Sequence, residues 1–265
     1  MNKKFLIIAG PCVLEDFETA FYIAKFLKDL VSKFDFDYVF KASFDKANRT
    51  SLFSYRGPGL EKGLSWLDEI KRKTGVKITT DVHETWQIKP VSEVVDIIQI
   101  PAFLCRQTDL VVSASQTGKI VNIKKGQFMS PWDMKYVLEK AQASNPPEVM
   151  LTERGYSFGY RNLVVDFRSI PIMKSFGVRV VFDATHSVQL PGGGGEGKSG
   201  GEREFVPYLI RAGVAVGADG IFMEVHPDPD KALCDGPNSL PLSELEMILQ
   251  QIKDLRCVVE KHGIS

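Results

Sequence analysis

The sequence predicts an α/β fold of the (β/α)8 class, the TIM barrel, as a single domain over residues 1–265. Three observations carry that expectation. Eight times, a short apolar run gives way to a polar cluster and then to a helix-like stretch. Eight such units in 265 residues match the barrel in both count and length. Most of the runs are continuously apolar, as in parallel strands buried on both faces. A doubly wound sheet is the alternative, but no GxGxxG follows the first run.

The units follow in order. The first joins the run 5–9 to a helix over 18–33. The second joins 38–43 to a helix over 60–73, and Gly75 falls where that helix should end. The third pairs 77–81 with 85–94, and the fourth pairs 97–100 with 108–116, stopped near Gly118. In the fifth, 120–124 precedes a helix over 131–143, where Ser130-Pro131 reads as an N-cap followed by Pro at the first helical position. The sixth pairs 149–153 with 165–176, closed by Gly177, and the seventh pairs 178–183 with 202–216, closed by Gly217. The eighth joins 220–224 to a helix over 242–262, where Ser243 and Glu246 suggest a capping box. No linker or shift in composition divides the chain.

Composition narrows the partners. Basic and acidic side chains balance at 33 each, which argues against a nucleic-acid or membrane-surface protein. Any anion site must then be a local concentration of charge. The first apolar run is too short for a signal peptide or a membrane span, so a cytoplasmic location is expected. Four cysteines, Cys12, Cys105, Cys234 and Cys257, lie far apart without a CxxC pair, which suggests neither a disulfide framework nor a zinc ribbon.

In a barrel of this kind, chemistry sits at the carboxyl ends of the strands. The residues just after each run are Cys12; Lys41, Lys46, Asn48 and Arg49; Asp81 and His83; Gln99 and Arg106; Lys124 and Lys125; Arg154; Asp183 and His186; Glu224 and His226. The opposite ends offer ordinary turn residues. The richest cluster is Lys41-Ala-Ser-Phe-Asp-Lys-Ala-Asn-Arg-Thr50. Its three cations at the end of a buried strand are costly to place unless something anionic sits there. Lys41, Lys46, Arg49, Lys124 and Arg154 converge only if the barrel closes. Their charge would then suit two phosphates and a carboxylate. Cys12, His186, Glu224 and Asp235 fall at the ends of strands 1, 7 and 8, and could form one mixed sulfur, nitrogen and oxygen site. A lone Cys or His is more often structural, and no short ligand motif such as HExxH is present.

The stretch Gly192 to Ser199 satisfies the P-loop pattern GxxxxGK[ST]. A nucleotide loop would follow its strand directly and open a helix at its Lys. Here the run ends near Asp183, and Gly200-Gly201 oppose helix initiation. A long Gly-rich loop at the catalytic face reads instead as a lid over the site.

Several segments resemble one family in order along essentially the whole chain. They are Gly10-Pro11-Cys12, Lys41 to Arg49 (KASFDKANR), Ile100 to Gln107 (IPAFLCRQ), Asn122 to Phe128 (NIKKGQF), Leu151 to Gly155 (LTERG) and Asp183 to Pro191 (DATHSVQLP). The chain resembles the 3-deoxy-D-manno-octulosonate-8-phosphate synthases. These condense phosphoenolpyruvate with arabinose 5-phosphate, in the route to a lipopolysaccharide sugar. The related heptulosonate-phosphate synthases, which use erythrose 4-phosphate, carry a KPRT-type segment where this chain has Lys46-Ala-Asn-Arg49.

The resemblance implies that Lys41 and Lys46 hold the enolpyruvate carboxylate and its surroundings, while Lys124 and Arg154 take the phosphate. Arg49, with Thr50 or Ser51, would hold the arabinose phosphate, and Asn48 would position its aldehyde. Gln99 joins the substrate-binding set, and Arg106 would serve a neighbouring subunit of a homotetramer. Asn48, Lys46, His186 and Asp235 are the implied catalytic residues. Members with Cys after the first strand bind a divalent metal, which here implies Fe2+, Zn2+, Mn2+ or Co2+ on Cys12, His186, Glu224 and Asp235. Around the last of these, Cys234-Asp-Gly-Pro237 is a form more often seen in metal-free members. The chain also begins directly at strand 1, without the N-terminal hairpin of some members. A non-catalytic sugar-phosphate sensor is the reading from another class, disfavoured because no expected catalytic position is missing.

Overall fold

The computed structural model describes residues 4–194 and 200–262. Eight parallel strands form the barrel: β1 (Phe5–Gly10), β2 (Phe36–Lys41), β3 (Lys77–Asp81), β4 (Ile97–Ile100), β5 (Ile120–Lys124), β6 (Val149–Glu153), β7 (Arg179–Asp183) and β8 (Gly220–His226). Each pairs in parallel with the next, and β1 closes the ring on β8 with Leu6 opposite Gly220 and Gly10 opposite Glu224. Among the described residues, eight α-helices lie between and after the strands: α1 (Phe17–Val31), α2 (Leu60–Thr74), α3 (Thr85–Val94), α4 (Thr108–Ser115), α5 (Met134–Gln142), α6 (Ser169–Lys174), α7 (Val206–Ala215) and α8 (Leu245–Lys261). The expected class is the observed one.

Two-residue periodicity sorts each strand into an outer and an inner face. Phe5, Ile7 and Ala9 of β1 pack outward into the large core shared with the helices. Leu6 and Ile8 point inward, where they meet Val39, Ile97, Met150, Val181 and Phe222 in a compact apolar floor. Two residues further along, the inward positions turn polar or charged: Lys41, Gln99, Thr152, Asp183 and Glu224 are all buried. The same alternation that builds the core therefore lifts charged side chains to the carboxyl end of the barrel.

Closure leaves no room at Gly220. A Cβ there would stand 2.5 Å from the Leu6 carbonyl oxygen.

Element ends depart from the sequence reading where tertiary contacts compete with local propensity. The expected helix over 165–176 shrinks to Ser169–Lys174, because Tyr156–Ser157 and Leu163–Val164 first pair as a short antiparallel ribbon. Val165 and Phe167 spend their apolar surface on the core outside the helix. At Ser130, the hydroxyl accepts a hydrogen bond from Asp133 N at 3.2 Å and caps a turn, so α5 starts three residues later than expected. The Ser243–Glu246 capping box does not form, since Leu242–Glu244 is a 3-10 turn leading into α8. A capping box appears instead at Glu84 and Gln87, ahead of α3. β2 ends two residues early at Lys41, whereas β8 runs on to His226 and pairs with Leu240–Pro241.

Of the Gly-rich stretch read as a lid, Gly192 to Ser199, residues 195–199 lie outside the described residues. Its flanks are described: Gln189–Leu190 pairs antiparallel with Gly200–Gly201 at the carboxyl end of the barrel. No helix among the described residues is long and apolar enough to cross a membrane.

Candidate active site

The segment after β2 forms one wall of a cleft at the carboxyl end of the barrel. Lys41, Lys46, Asn48, Arg49 and Thr50 line it, together with Lys124, Arg154, His186 and Asp235. Residues scattered over five strand ends are thus brought together by closure. Cys12 and Glu224 of the expected metal set are not in that lining, and neither are three of the expected substrate-binding positions. Ser51 accepts a hydrogen bond from Phe53 N within its own turn. Arg106 is exposed, and its carbonyl accepts from Lys140 Nζ at 3.2 Å. Gln99 lies inside the barrel beneath the cleft.

Gln99 belongs to a buried polar chain. Its amide donates to Asp81 Oδ1, while its carbonyl oxygen accepts from Asn122 Nδ2 at 3.2 Å. Asn122 Oδ1 in turn accepts from Thr152 Oγ1 at 2.7 Å, and Asp81 Oδ2 accepts from Ser43 Oγ at 2.6 Å. Every link is satisfied by another strand, which fixes the strand ends relative to one another.

The cations are not waiting only for substrate: the barrel's own carboxylates face them. Lys41 Nζ donates to Glu224 Oε1 at 3.2 Å and to the Cys12 carbonyl at 3.1 Å. Lys124 Nζ donates to Asp183 Oδ2 at 2.7 Å and sits 3.8 Å from the centre of the Phe222 ring. Burial opposes charge on Lys41, but Asp81 and Glu224 outweigh it and raise its pKa. Lys46 goes the other way: burial, then the charge on Lys41, lowers it to about 8. Burial would raise Asp183, yet His186 and Lys124 hold its carboxyl well below the usual range. The same balance brings Glu224 down to about 2, through His186 and Lys41. Asp81 is likewise held low by Lys41 and Lys46 despite burial. Asp81 and Asp183 stood among the strand-end residues in the sequence; that they are counter-charges was visible only once the ring closed.

Some capacity is left over. Among the described residues, Arg154 Nη1 and Arg49 Nε are buried without a hydrogen-bond partner. Arg154 Nη2 donates to Gln189 Oε1 at 3.2 Å. Burial alone lowers the Arg154 pKa, an energetic cost that an anion in the cleft would offset. Behind it, Glu153 Oε1 accepts from the backbone N–H groups of Arg154 and Gly155 at 3.0 and 2.7 Å. Lys125 stands 3.5 Å from that carboxylate, so the turn presenting Arg154 is braced from below.

The expected metal donors fall into two overlapping groups that share Asp235. Donor atoms of His186, Glu224 and Asp235 all lie within 4.8 Å of one another, as do those of Cys12, Cys234 and Asp235. His186 Nε2 is 3.5 Å from Glu224 Oε1 and 4.0 Å from Asp235 Oδ2, and Cys12 Sγ is 3.2 Å from Asp235 Oδ2. Asp183 Oδ2 lies 2.7 Å from the far nitrogen of the His186 ring. This is the kind of outer carboxylate that holds a ligating imidazole in place. Glu224 Oε2 is buried without a hydrogen-bond partner, an orphan that a cation would satisfy. The donors fit a divalent transition metal.

One expectation is corrected. Cys12 and Cys234, far apart in sequence, are paired in space as a disulfide, with Cα atoms 6.0 Å apart. Cys105 and Cys257 are free, as expected.

A closed barrel that gathers phosphate-type cations beside a sulfur, nitrogen and carboxylate donor group defines a barrel enzyme for anionic, phosphorylated substrates. The chain belongs to the DAHP synthetase I family, whose sequence model matches residues 1–261. Its relatives include the 2-dehydro-3-deoxyphosphooctonate aldolase of Nitratidesulfovibrio vulgaris, 59% identical over 255 residues, covering 96% of this chain and 93% of that one. That of Geobacter metallireducens is 55% identical over 259 residues, covering 98% and 95%. That of Desulfotalea psychrophila is 56% identical over 260 residues, covering 98% and 92%.

Proposed function

We propose that this chain condenses phosphoenolpyruvate with D-arabinose 5-phosphate and water to give 3-deoxy-D-manno-octulosonate 8-phosphate and phosphate. The aldolase name carried by its relatives and the synthase name of the family it resembles denote this one enzyme. The observation that carries the reading is the cleft wall Lys41–Thr50, which holds KASFDKANR against Lys124 and Arg154.

The residues divide between two anionic substrates. Lys124 and Arg154 take the enol phosphate, with the unpartnered Arg154 Nη1 as a ready donor. Lys41 and Lys46 face the enolpyruvate carboxylate. Arg49 and Thr50 hold the phosphate of the aldose, and Asn48 orients its aldehyde. Two anions held in near-attack geometry by preorganised cations lose most of their mutual repulsion. C3 of the enol then attacks the aldehyde carbon while water adds at C2. The tetrahedral C2 loses phosphate by C–O cleavage. Lys46 Nζ, with its pKa near 8, supplies the proton that the new alkoxide takes up, and the proton shed by the water added at C2 restores it. Cys12, His186, Glu224 and Asp235 would hold Fe2+, Zn2+, Mn2+ or Co2+, which supplies Lewis acidity beside the aldehyde and the attacking water. Asp183 keeps the His186 ring oriented towards Glu224 and Asp235. The protein works as one cytoplasmic barrel domain per subunit of a homotetramer.

Phosphate release with D-arabinose 5-phosphate and with D-erythrose 4-phosphate, each with and without chelator, tests the proposal. Release with the five-carbon aldose at least 100-fold faster than with the four-carbon one is expected. The reverse ranking would make the chain a heptulosonate-phosphate synthase, and no release with either would leave a sugar-phosphate sensor. EDTA should abolish the reaction, and Zn2+, Fe2+ or Mn2+ should restore it. Full activity after chelation would refute the metal assignment, and a Cys12→Asn variant active without metal would place the two mechanisms one residue apart.

A further inference from the structure

The sulfur of Cys12 has two suitors. It belongs to the donor group centred on Asp235, and it is joined to Cys234. The pair spans 222 residues of sequence. Cys12 follows β1 and Cys234 lies in the loop after β8, so only the β1–β8 seam brings them together. Their Cα separation of 6.0 Å lies within the range that a disulfide spans without backbone movement. Both residues are 4% exposed, inside a cluster with Val13 and Tyr55. The remaining cysteines are free, Cys105 buried and Cys257 exposed.

We propose that Cys12 and Cys234 form a redox-active dithiol in which disulfide formation and metal binding exclude each other. The exclusion rests on the metal reading above, because the shared atom is the Cys12 sulfur. A metal is bound by the thiolate, which carries the charge and the lone pair. A disulfide sulfur has no such charge, so oxidation removes one of the four expected donors. The oxidant is a small-molecule disulfide, RSSR. One protein thiolate attacks it, forms a mixed disulfide and expels RS−. The second cysteine then attacks the protein-bound sulfur and expels another RS−. Two electrons pass from the dithiol to RSSR, and the two protein protons leave on two RSH. Metal held on Cys12 blocks this exchange, since the bound sulfur is no longer free to attack. Arg49 couples the pair to the substrate cleft: its Nη1 is 3.4 Å from Asp235 Oδ1 and its Nη2 is 3.8 Å from Cys12 Sγ.

The test uses the full chain, reduced and stripped of metal with chelator, then either loaded with Zn2+ or not, and exposed to oxidised glutathione. Non-reducing peptide mass mapping reads the cross-link, and elemental analysis reads the metal. Protein without Zn2+ should yield a Cys12–Cys234 peptide pair and afterwards bind at least 10-fold less Zn2+ than reduced protein. Zn2+-loaded protein should form the cross-link at least 10-fold more slowly. Cys234→Ser should bind Zn2+ when reduced and form no internal cross-link. The proposal fails if Cys12 and Cys234 both remain open to alkylation after oxidation without Zn2+. It also fails if oxidised and reduced protein bind Zn2+ equally. Reduced protein that binds no Zn2+ would overturn the exclusion together with the metal reading. A missing cross-link in protein that binds Zn2+ normally would overturn the dithiol alone.

Discussion

Arg154 is where a single side chain decides most. Its guanidinium is buried, one nitrogen is held by Gln189, and another has no partner. Arg154→Lys keeps the charge and loses the fork, so it should lower kcat/KM for phosphoenolpyruvate by about 10–100-fold, the value of one or two charge-assisted hydrogen bonds. Steady-state kinetics against each substrate in turn would check this, with the arabinose phosphate KM little changed. Asp81 makes a stability prediction instead. Its folded pKa is depressed by Lys41 and Lys46, so the folded state binds fewer protons than the unfolded one as pH falls through the carboxylate range. Its contribution is fully present above about pH 4 and is lost as pH falls further towards the folded value. Asp81→Asn should cost about 3 kcal/mol at neutral pH, by leaving Lys41 short of a partner. In urea titrations, the gap from the parent should narrow between about pH 4 and pH 3. A gap that stays constant with pH would show that Asp81 does not carry this charge balance.

At the scale of elements, the seam between β1 and β8 matters most. It completes the ring, and it sets Cys12 beside Cys234 and Glu224 beside Lys41. Gly220 lies at the start of that seam against the Leu6 backbone. Gly220→Val should therefore destabilise the fold by about 1–3 kcal/mol through overpacking, measured by chemical denaturation. Most strands were legible from their apolar runs, since a strand buried on both faces has little else to be. Helix starts were less so. The pair Ser130-Pro131 has the chemistry of a helix start, yet its hydroxyl caps a turn at Asp133 and α5 begins only at Met134.

For the whole molecule, the surface adds to the cleft. Trp132 and Phe158 are 61% and 68% exposed and line an apolar hollow with Tyr156 and Val164, beside the ends of β5 and β6. Exposed aromatics grouped in this way suit contact with another subunit. Sedimentation should give a tetramer of this chain, and Arg106→Ala should lower activity without unfolding the barrel. A fully active monomer would refute both expectations. Arg106 is exposed and does not line the cleft of its own chain, so any part it has in catalysis belongs to the assembly.

By itself, the sequence determined the barrel, the order of its strands and the face that carries chemistry. Those follow from periodicity and from polar residues placed just after apolar runs, which are local properties. It also placed Lys41, Lys46, Lys124, Arg154 and His186 at that face, because each sits at or just beyond a strand end. Only the tertiary structure decided how those charges are balanced. Lys124 meets Asp183 across 59 residues, and Lys41 meets Glu224 across 183, contacts that no spacing announces. It placed Gln99 in a buried polar chain with Asp81 and Asn122, because the side chain at that level points into the barrel below the cleft. It also joined two cysteines that the sequence keeps 222 residues apart. The physical reason is common to all of these: a closed ring makes neighbours of its first and last strands, and no local pattern records that closure.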